Sequence, residues 1–427
     1  MKKLLTFLGT TNYVYVNYIL DDEKVESVRF VQQALAKILC KGWTEEDKIV
    51  VFLTKEAREK NWEDGFYKDD RGEPLRGLKT ELYNLNLKVK IEEVDIPEGK
   101  NENELWELFK KILDEINEND EIYFDITHSF RSLPLLVMIA LNYGVNIKNA
   151  KIKGIFYGAV EALGPPQEIK EMDKKKRNAP IFDLTPFVTL FDWTIATRRF
   201  IDTGDASLLQ KLTQEKLKPL LAQTKGKEGK GLKNFVNLLK QLSDSFATCR
   251  QKELPNIIHR LRENIEEAKK DISTIPTFQP LIGIIEEKLN KLKFGSFEEV
   301  LTVTEWCLNH NLIQQGFTLL REGIITYYVQ KLGRNDTNNR ETREAIVDAL
   351  NCIGRNIKET ETLKKFPEKE KLCKSISRKV AETFVQILEY RNDINHAGWV
   401  DNYHKAEAFK DKLKEFVKKL KEEVQDD

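Results

Sequence analysis

Arg391 and His396 are separated by four residues in the run Arg391-Asn392-Asp393-Ile394-Asn395-His396, at the end of a long apolar-periodic segment. His396 is one of five histidines in 427 residues. An imidazole can give or take a proton near neutrality. A guanidinium is a permanent planar cation matched to phosphate oxygens. Together they suit metal-free cleavage of an RNA phosphodiester. Histidine takes the 2′-hydroxyl proton, and the freed oxygen attacks the phosphorus. Arginine stabilises charge on the phosphoryl oxygens, and a second imidazole protonates the leaving 5′-oxygen. Asn392 is placed to hold the imidazole or the phosphate. On a regular helix, positions five apart point about 140° apart, whereas Asn392 and His396 share a face. One copy therefore does not set Arg391 beside His396, but a twofold dimer facing two copies across a cleft would. The structural alternative is that both residues cap carbonyls or form surface ion pairs near a helix end.

Two other clusters have binding chemistry. Gly9-Thr10-Thr11-Asn12-Tyr13 follows the first strand-like run, and Asp125-Ile126-Thr127-His128-Ser129-Phe130-Arg131-Ser132 follows another and opens an apolar helix. Small hydroxyl residues, backbone N–H groups and a helix N-terminus can hold phosphate. Arg131 adds a fixed charge, and Phe130 and Tyr13 can stack on bases or pack in the core. Against this, Thr-Thr-Asn is also ordinary turn chemistry, Asp125 can simply brace its loop, and His128 can be a hydrogen-bonded loop residue. No G-x-G-x-x-G is present, and Gly226–Gly231 lacks the spacing and hydroxyl of a phosphate loop.

The elements that must position these residues fall into two textures. Strand signals at Lys3–Gly9, Lys48–Leu53, Lys88–Val94, Glu121–Ile126 and Ile152–Tyr157 alternate with helical periodicity at Val25–Leu39, Lys55–Trp62, Asn103–Ile116 and Ser132–Tyr143. That order predicts a parallel, doubly wound sheet with right-handed crossovers over 1–165. Residues 166–185 read as a charged connector. From Pro186 onward only helical patterns occur, including one helix over Glu368–Tyr390. Residues 186–310 are expected to be a helical linker region and 311–427 the domain that carries Arg391 and His396. The fold class is thus α/β followed by all-α.

Lys+Arg and Asp+Glu are both 69, so the formal net charge is zero and argues for no nucleic-acid partner by itself. A DNA-binding regulator is not expected, since no recognition helix is apparent. The apolar run after Met1 is too short for a secretory signal, and no stretch is long enough to span a membrane, which predicts a cytoplasmic protein. Five dispersed cysteines without a C-x-x-C predict reduced thiols and no metal site.

These residues resemble the CRISPR-associated CARF–HEPN ribonucleases of type III systems. Gly9–Tyr13, Asp125–Pro134 and Phe156-Tyr157-Gly158-Ala159 look like the CARF sensor, and Arg391–Ala397 looks like the HEPN R-x-x-x-x-H motif. The resemblance implies a Rossmann-like sensor that binds cyclic oligoadenylate, the tetra-adenylate first and the hexa-adenylate second, across a homodimer or higher even oligomer. Gly9, Thr10, Thr11, Asn12, Tyr13, Asp125, Thr127, His128, Ser129, Phe130 and Arg131 would serve the ligand. Arg391, His396 and Asn392 would form an endoribonuclease site for single-stranded RNA, without cofactor or metal. Two alternatives stay open: a non-catalytic ligand sensor, and a sensor in which Thr127 and His128 position the ligand's own 2′-hydroxyl for slow self-cleavage.

Overall fold

Successive side chains of the strand Lys2–Phe7 enter opposite cores: Leu4 joins one apolar cluster, Leu5 the other. That two-sided burial is what a central strand of an α/β sheet requires. The computed structural model describes residues 1–128, 133–225, 228–271 and 279–425. Contacts divide it into two units, Met1–Thr189 and Leu190–Asp427.

The first unit holds an eight-stranded sheet: β1 (Lys2–Phe7), β2 (Val16–Leu20), β3 (Glu23–Val28), β4 (Lys48–Leu53), β5 (Lys90–Asp95), β6 (Glu121–Asp125), β7 (Lys151–Gly158) and β8 (Asn178–Asp183). Their order is β3-β2-β8-β7-β6-β1-β4-β5. The five strands from β7 to β5 are mutually parallel, and β1 lies between β4 and β6. Helix α1 (Val31–Leu39) covers one face with Val31, Ala34 and Leu35. Helices α2 (Glu102–Asp114) and α3 (Leu133–Lys148) cover the other with Leu108, Ile112, Val137 and Leu141.

The parallel core matches the expectation, and three details differ. Val25–Leu39 is not one helix, because β3 occupies its first part. Val25 and Val28 are the buried positions of β3, three apart, because Ser27 has φ +51° and the pairing slips one residue between Val16 and Tyr18. A bulge therefore imitated a helical period. The expected connector 166–185 carries β8, which pairs antiparallel with β7 and parallel with β2. Its buried residues, Ala179 and Ile181, were hidden behind the preceding lysine run. Lys55–Trp62 is a short helix, Lys55–Ala57, that widens into a π turn, Arg58–Trp62.

Among its described residues the second unit has helices and no strand. The longer ones are α4 (Thr185–Thr203), which begins in the first unit, α5 (Ser207–Gln223), α6 (Lys230–Ala247), α7 (Leu254–Asp271), α8 (Gln279–Asn290), α9 (Phe297–Asn309), α10 (Ile313–Lys331), α11 (Arg340–Arg355), α12 (Arg378–Asn395) and α13 (Ala406–Gln425). Two apolar cores share α9 and α10. One gathers Trp193, Phe235, Leu261 and Trp306, the other Phe317, Ile346, Phe384 and Phe416. The helix expected over Glu368–Tyr390 is interrupted: Lys369–Ser375 ends before Ser377, whose hydroxyl accepts from Val380 N at 3.1 Å and starts α12. That N-cap satisfies a backbone donor the helix cannot.

Candidate functional site

Strands β1 and β6 are neighbours, with Thr6 opposite Asp125. The chain order reverses here, so the two carboxyl ends open onto a crevice of the kind that binds ligands in doubly wound sheets. The Thr6 hydroxyl donates to Asp125 Oδ2 at 2.6 Å. Asp125 Oδ1 accepts from Thr127 N at 3.0 Å and Thr127 Oγ1 at 2.5 Å, and Thr127 Oγ1 accepts from Gly158 N at 2.8 Å. Asp125 is fully buried, and burial raises its pKa against those hydrogen bonds. It locks the turn and does not line the crevice. Above it lies a cleft of about 240 Å³ walled in part by Thr11, Asn12, Tyr13, Arg29, Thr127, His128 and Glu161.

The first loop is held from behind. Asn61 Nδ2 donates to the carbonyls of Gly9 (3.0 Å) and Thr11 (2.9 Å), and the Tyr67 hydroxyl donates to Thr10 O at 2.8 Å. Gly9 has no room for a side chain: a Cβ would sit 2.3 Å from the Tyr13 hydroxyl. Tyr13 packs on His128 with ring centroids 4.4 Å apart. Among the described residues His128 Nε2 is buried without a hydrogen-bond partner, and burial lowers the imidazole pKa to about 4. The ring is therefore neutral at neutral pH, and a histidine so lowered is a weak general base.

In the second unit, Arg391 and Asn392 lie in the last turns of α12, and His396 is its C-cap. The helix ends in a Schellman turn: Ala397 N donates to Ile394 O at 3.1 Å and Gly398 N to Asp393 O at 3.1 Å. Ala397 takes the left-handed conformation, φ +53°, that this turn usually reserves for glycine. Asp393 is buried, and its Oδ2 accepts from His404 N at 2.6 Å and His404 Nδ1 at 2.9 Å. His404 stacks on Tyr390 at 4.0 Å. This knot fixes the segment after the helix and leaves the His396 side chain exposed. Arg391 and Asn392 face a separate cleft of about 270 Å³, with Arg321 and Arg355, whose lining does not include His396. The Nε of Arg391 is buried without a partner.

Residues 3–161 match the CARF domain of the CRISPR system endoribonuclease Csx1. The chain carries a CARF domain. It is also 28% identical over 229 residues to the CRISPR-associated protein MJ1674 of Methanocaldococcus jannaschii. That match covers 53% of this chain and 32% of the relative, so the chain spans about a third of the relative's length. Among the described residues no helix is long and apolar enough to cross a membrane.

Within the CARF domain, Thr11, Asn12, Tyr13, Thr127 and His128 come together in one cleft. Gly9 and Thr10 shape the loop through their backbone, and Asp125 braces the turn from below. Ser129, Phe130 and Arg131 lie outside the described residues. Arg29, which no sequence motif singles out, also walls the cleft. Its Nη2 donates to Asn61 Oδ1 at 2.8 Å and its Nη1 to Arg76 O at 2.9 Å, while its guanidinium lies 4.8 Å from the Phe30 ring centroid. It connects the cleft wall to the bracket behind the first loop. Inside a stretch read as helix, it had no signal of its own.

Proposed function

We propose that this CARF-containing chain is an endoribonuclease switched on by cyclic oligoadenylate, cleaving single-stranded RNA without a metal. The observation that carries the reading is the pairing of a CARF cleft with Arg391, Asn392 and His396 at the end of α12. The cleft offers what a cyclic adenylate needs. Thr11, Asn12 and Thr127 supply polar groups, and Tyr13 and His128 supply rings. In the helical unit, His396 is exposed while Arg391 faces a cationic cleft that His396 does not line. This supports a site completed by a second copy. One His396 would accept the 2′-hydroxyl proton, the 2′-oxygen would form the new bond to phosphorus, and the 5′-oxygen would leave with a proton from the other copy's His396. Arg391 would balance charge on the phosphoryl oxygens. The products are a 2′,3′-cyclic phosphate and a 5′-hydroxyl.

The self-cleaving alternative, with His128 as base, finds less support, because a neutral imidazole with a pKa near 4 takes up a proton poorly at neutral pH. The test is cleavage of a fluorogenic RNA in EDTA against cyclic tri-, tetra-, penta- and hexa-adenylates. One ring size should activate wild type. His396→Ala should abolish cleavage and keep ligand binding by calorimetry. Cleavage retained in purified His396→Ala would end the assignment.

A further inference from the structure

The cleft beside Arg391 contains more positive charge than its ion pairs consume. Arg391 of α12, Arg321 of α10 and Arg355 of α11 line it, with Glu389 the one carboxylate among its described lining residues. The pair between Arg355 and Glu389 is long, 3.5 Å, and both side chains are about half exposed. Such a pair contributes little and exchanges readily with another anion. The Nε atoms of both Arg321 and Arg391 are buried and have no hydrogen-bond partner. Arg321 also lines a second cleft of about 360 Å³, with Arg340 and Arg343. There the charges are better matched: Arg321 and Arg343 share Glu322, and Arg340 pairs with Glu344 at 2.7 Å. Arg321 thus has a carboxylate partner in Glu322, Arg355 has only the weak pair with Glu389, and among the described residues no ion pair is formed by Arg391.

We propose that Arg321 and Arg355 form a phosphate subsite that holds the RNA backbone at a linkage next to the one cleaved. A guanidinium can present two parallel N–H groups to phosphate oxygens, which fixes both position and register. Three arginines from three helices, facing one weakly paired carboxylate, suit an anion more extended than a single phosphate. The proposal rests on the endoribonuclease reading. In it Arg321 and Arg355 are positioning residues: they bind substrate and leave the proton transfers to His396.

The experiment uses the full chain with a fluorescent single-stranded RNA made uncleavable by 2′-O-methylation, alongside the cleavable form. Arg355→Gln is the main variant, because its half-exposed side chain can be lost without disturbing the core. Arg321→Gln is the second, and Arg355→Lys tests rescue. Arg321→Gln and Arg355→Gln should each weaken RNA binding about tenfold and raise KM to match, with kcat at saturating RNA within about threefold. The slope of log affinity against log salt should become shallower by about 0.7 for each phosphate contact removed. Arg355→Lys should recover part of the affinity. Unchanged affinity and salt slope in Arg355→Gln, with an unchanged melting curve, would overturn the subsite. Cleavage by His396→Ala would instead overturn the ribonuclease reading, while the anisotropy data would still report on the subsite.

Discussion

Gly9 is where the smallest change should have a readable effect on the sensor. A methyl group there meets the Tyr13 hydroxyl at 2.3 Å and His128 Cβ at 3.4 Å, so Tyr13 must move. Because Tyr13 walls the cleft, Gly9→Ala should weaken cyclic oligoadenylate binding about tenfold or more while costing about 1–3 kcal/mol of stability. Calorimetric titration and a thermal melt separate the two effects. His128 gives a pH signature. Its pKa in the fold is lowered to about 4 from the ordinary 6.5. Between those values the unfolded chain binds more protons than the folded one, so this contribution is fully present above pH 6.5 and is lost as pH falls toward 4. Folded-state NMR should keep the His128 ring in its neutral form at pH 5; a midpoint near 6.5 would contradict the burial argument. At this scale the sequence was most legible where a side chain faces the cleft, as with Thr11, Asn12, Tyr13 and Thr127. It was least legible where a residue acts through a distant partner. Nothing near Arg29 in the chain announces Asn61 or Arg76.

The parallel strands were readable because strands buried on both faces appear as continuous apolar runs, as in Lys48–Leu53. The edge elements were not. The β2–β3 hairpin hides behind the Ser27 bulge, and β8 follows a lysine run. Helix α12 was located, but its end is more elaborate than periodicity can express. The positive φ of Ala397 and the bonds from His404 to Asp393 depend on residues up to eleven positions apart. Asp393 is the element-scale test. Asp393→Ala leaves a backbone N–H and an imidazole without their acceptor in a nearly buried place, at a cost of about 1–3 kcal/mol. The segment from His396 to His404 should loosen, so RNA cleavage should fall more steeply than the melting temperature. Hydrogen exchange at the end of α12 should accelerate, with exchange in the CARF domain unchanged. Unaltered exchange there would mean that Asp393 does not hold the His396 segment in place.

The two textures read along the chain correspond to two separately packed units, and the five-residue spacing of Arg391 and His396 bears on how many copies make a working site. Two independent observations bear on it. His396 is exposed and outside the cleft of Arg391, as a separation of five helical positions dictates. On the CARF domain, α3 exposes Leu135, Ile139, Tyr143 and Ile147, four apolar side chains spaced four apart on one face. A stripe of this kind on a sheet-covering helix suits burial against another copy. If the catalytic site needs His396 from both copies, an equimolar mixture of wild type and His396→Ala allowed to exchange subunits should show about a quarter of the activity of wild type at the same total concentration, because only wild-type pairs are competent. If each copy cleaves alone, about half should remain. If this stripe is the interface between copies, Ile139→Glu combined with Ile147→Glu should lower self-association in sedimentation experiments and lower cleavage in proportion. If cyclic oligoadenylate activates a pair as proposed, it can do so only by binding the competent pair more tightly than the idle one. By the same linkage, the His396→Ala dimer should bind it as wild type does, whereas the monomeric double variant should bind it more weakly.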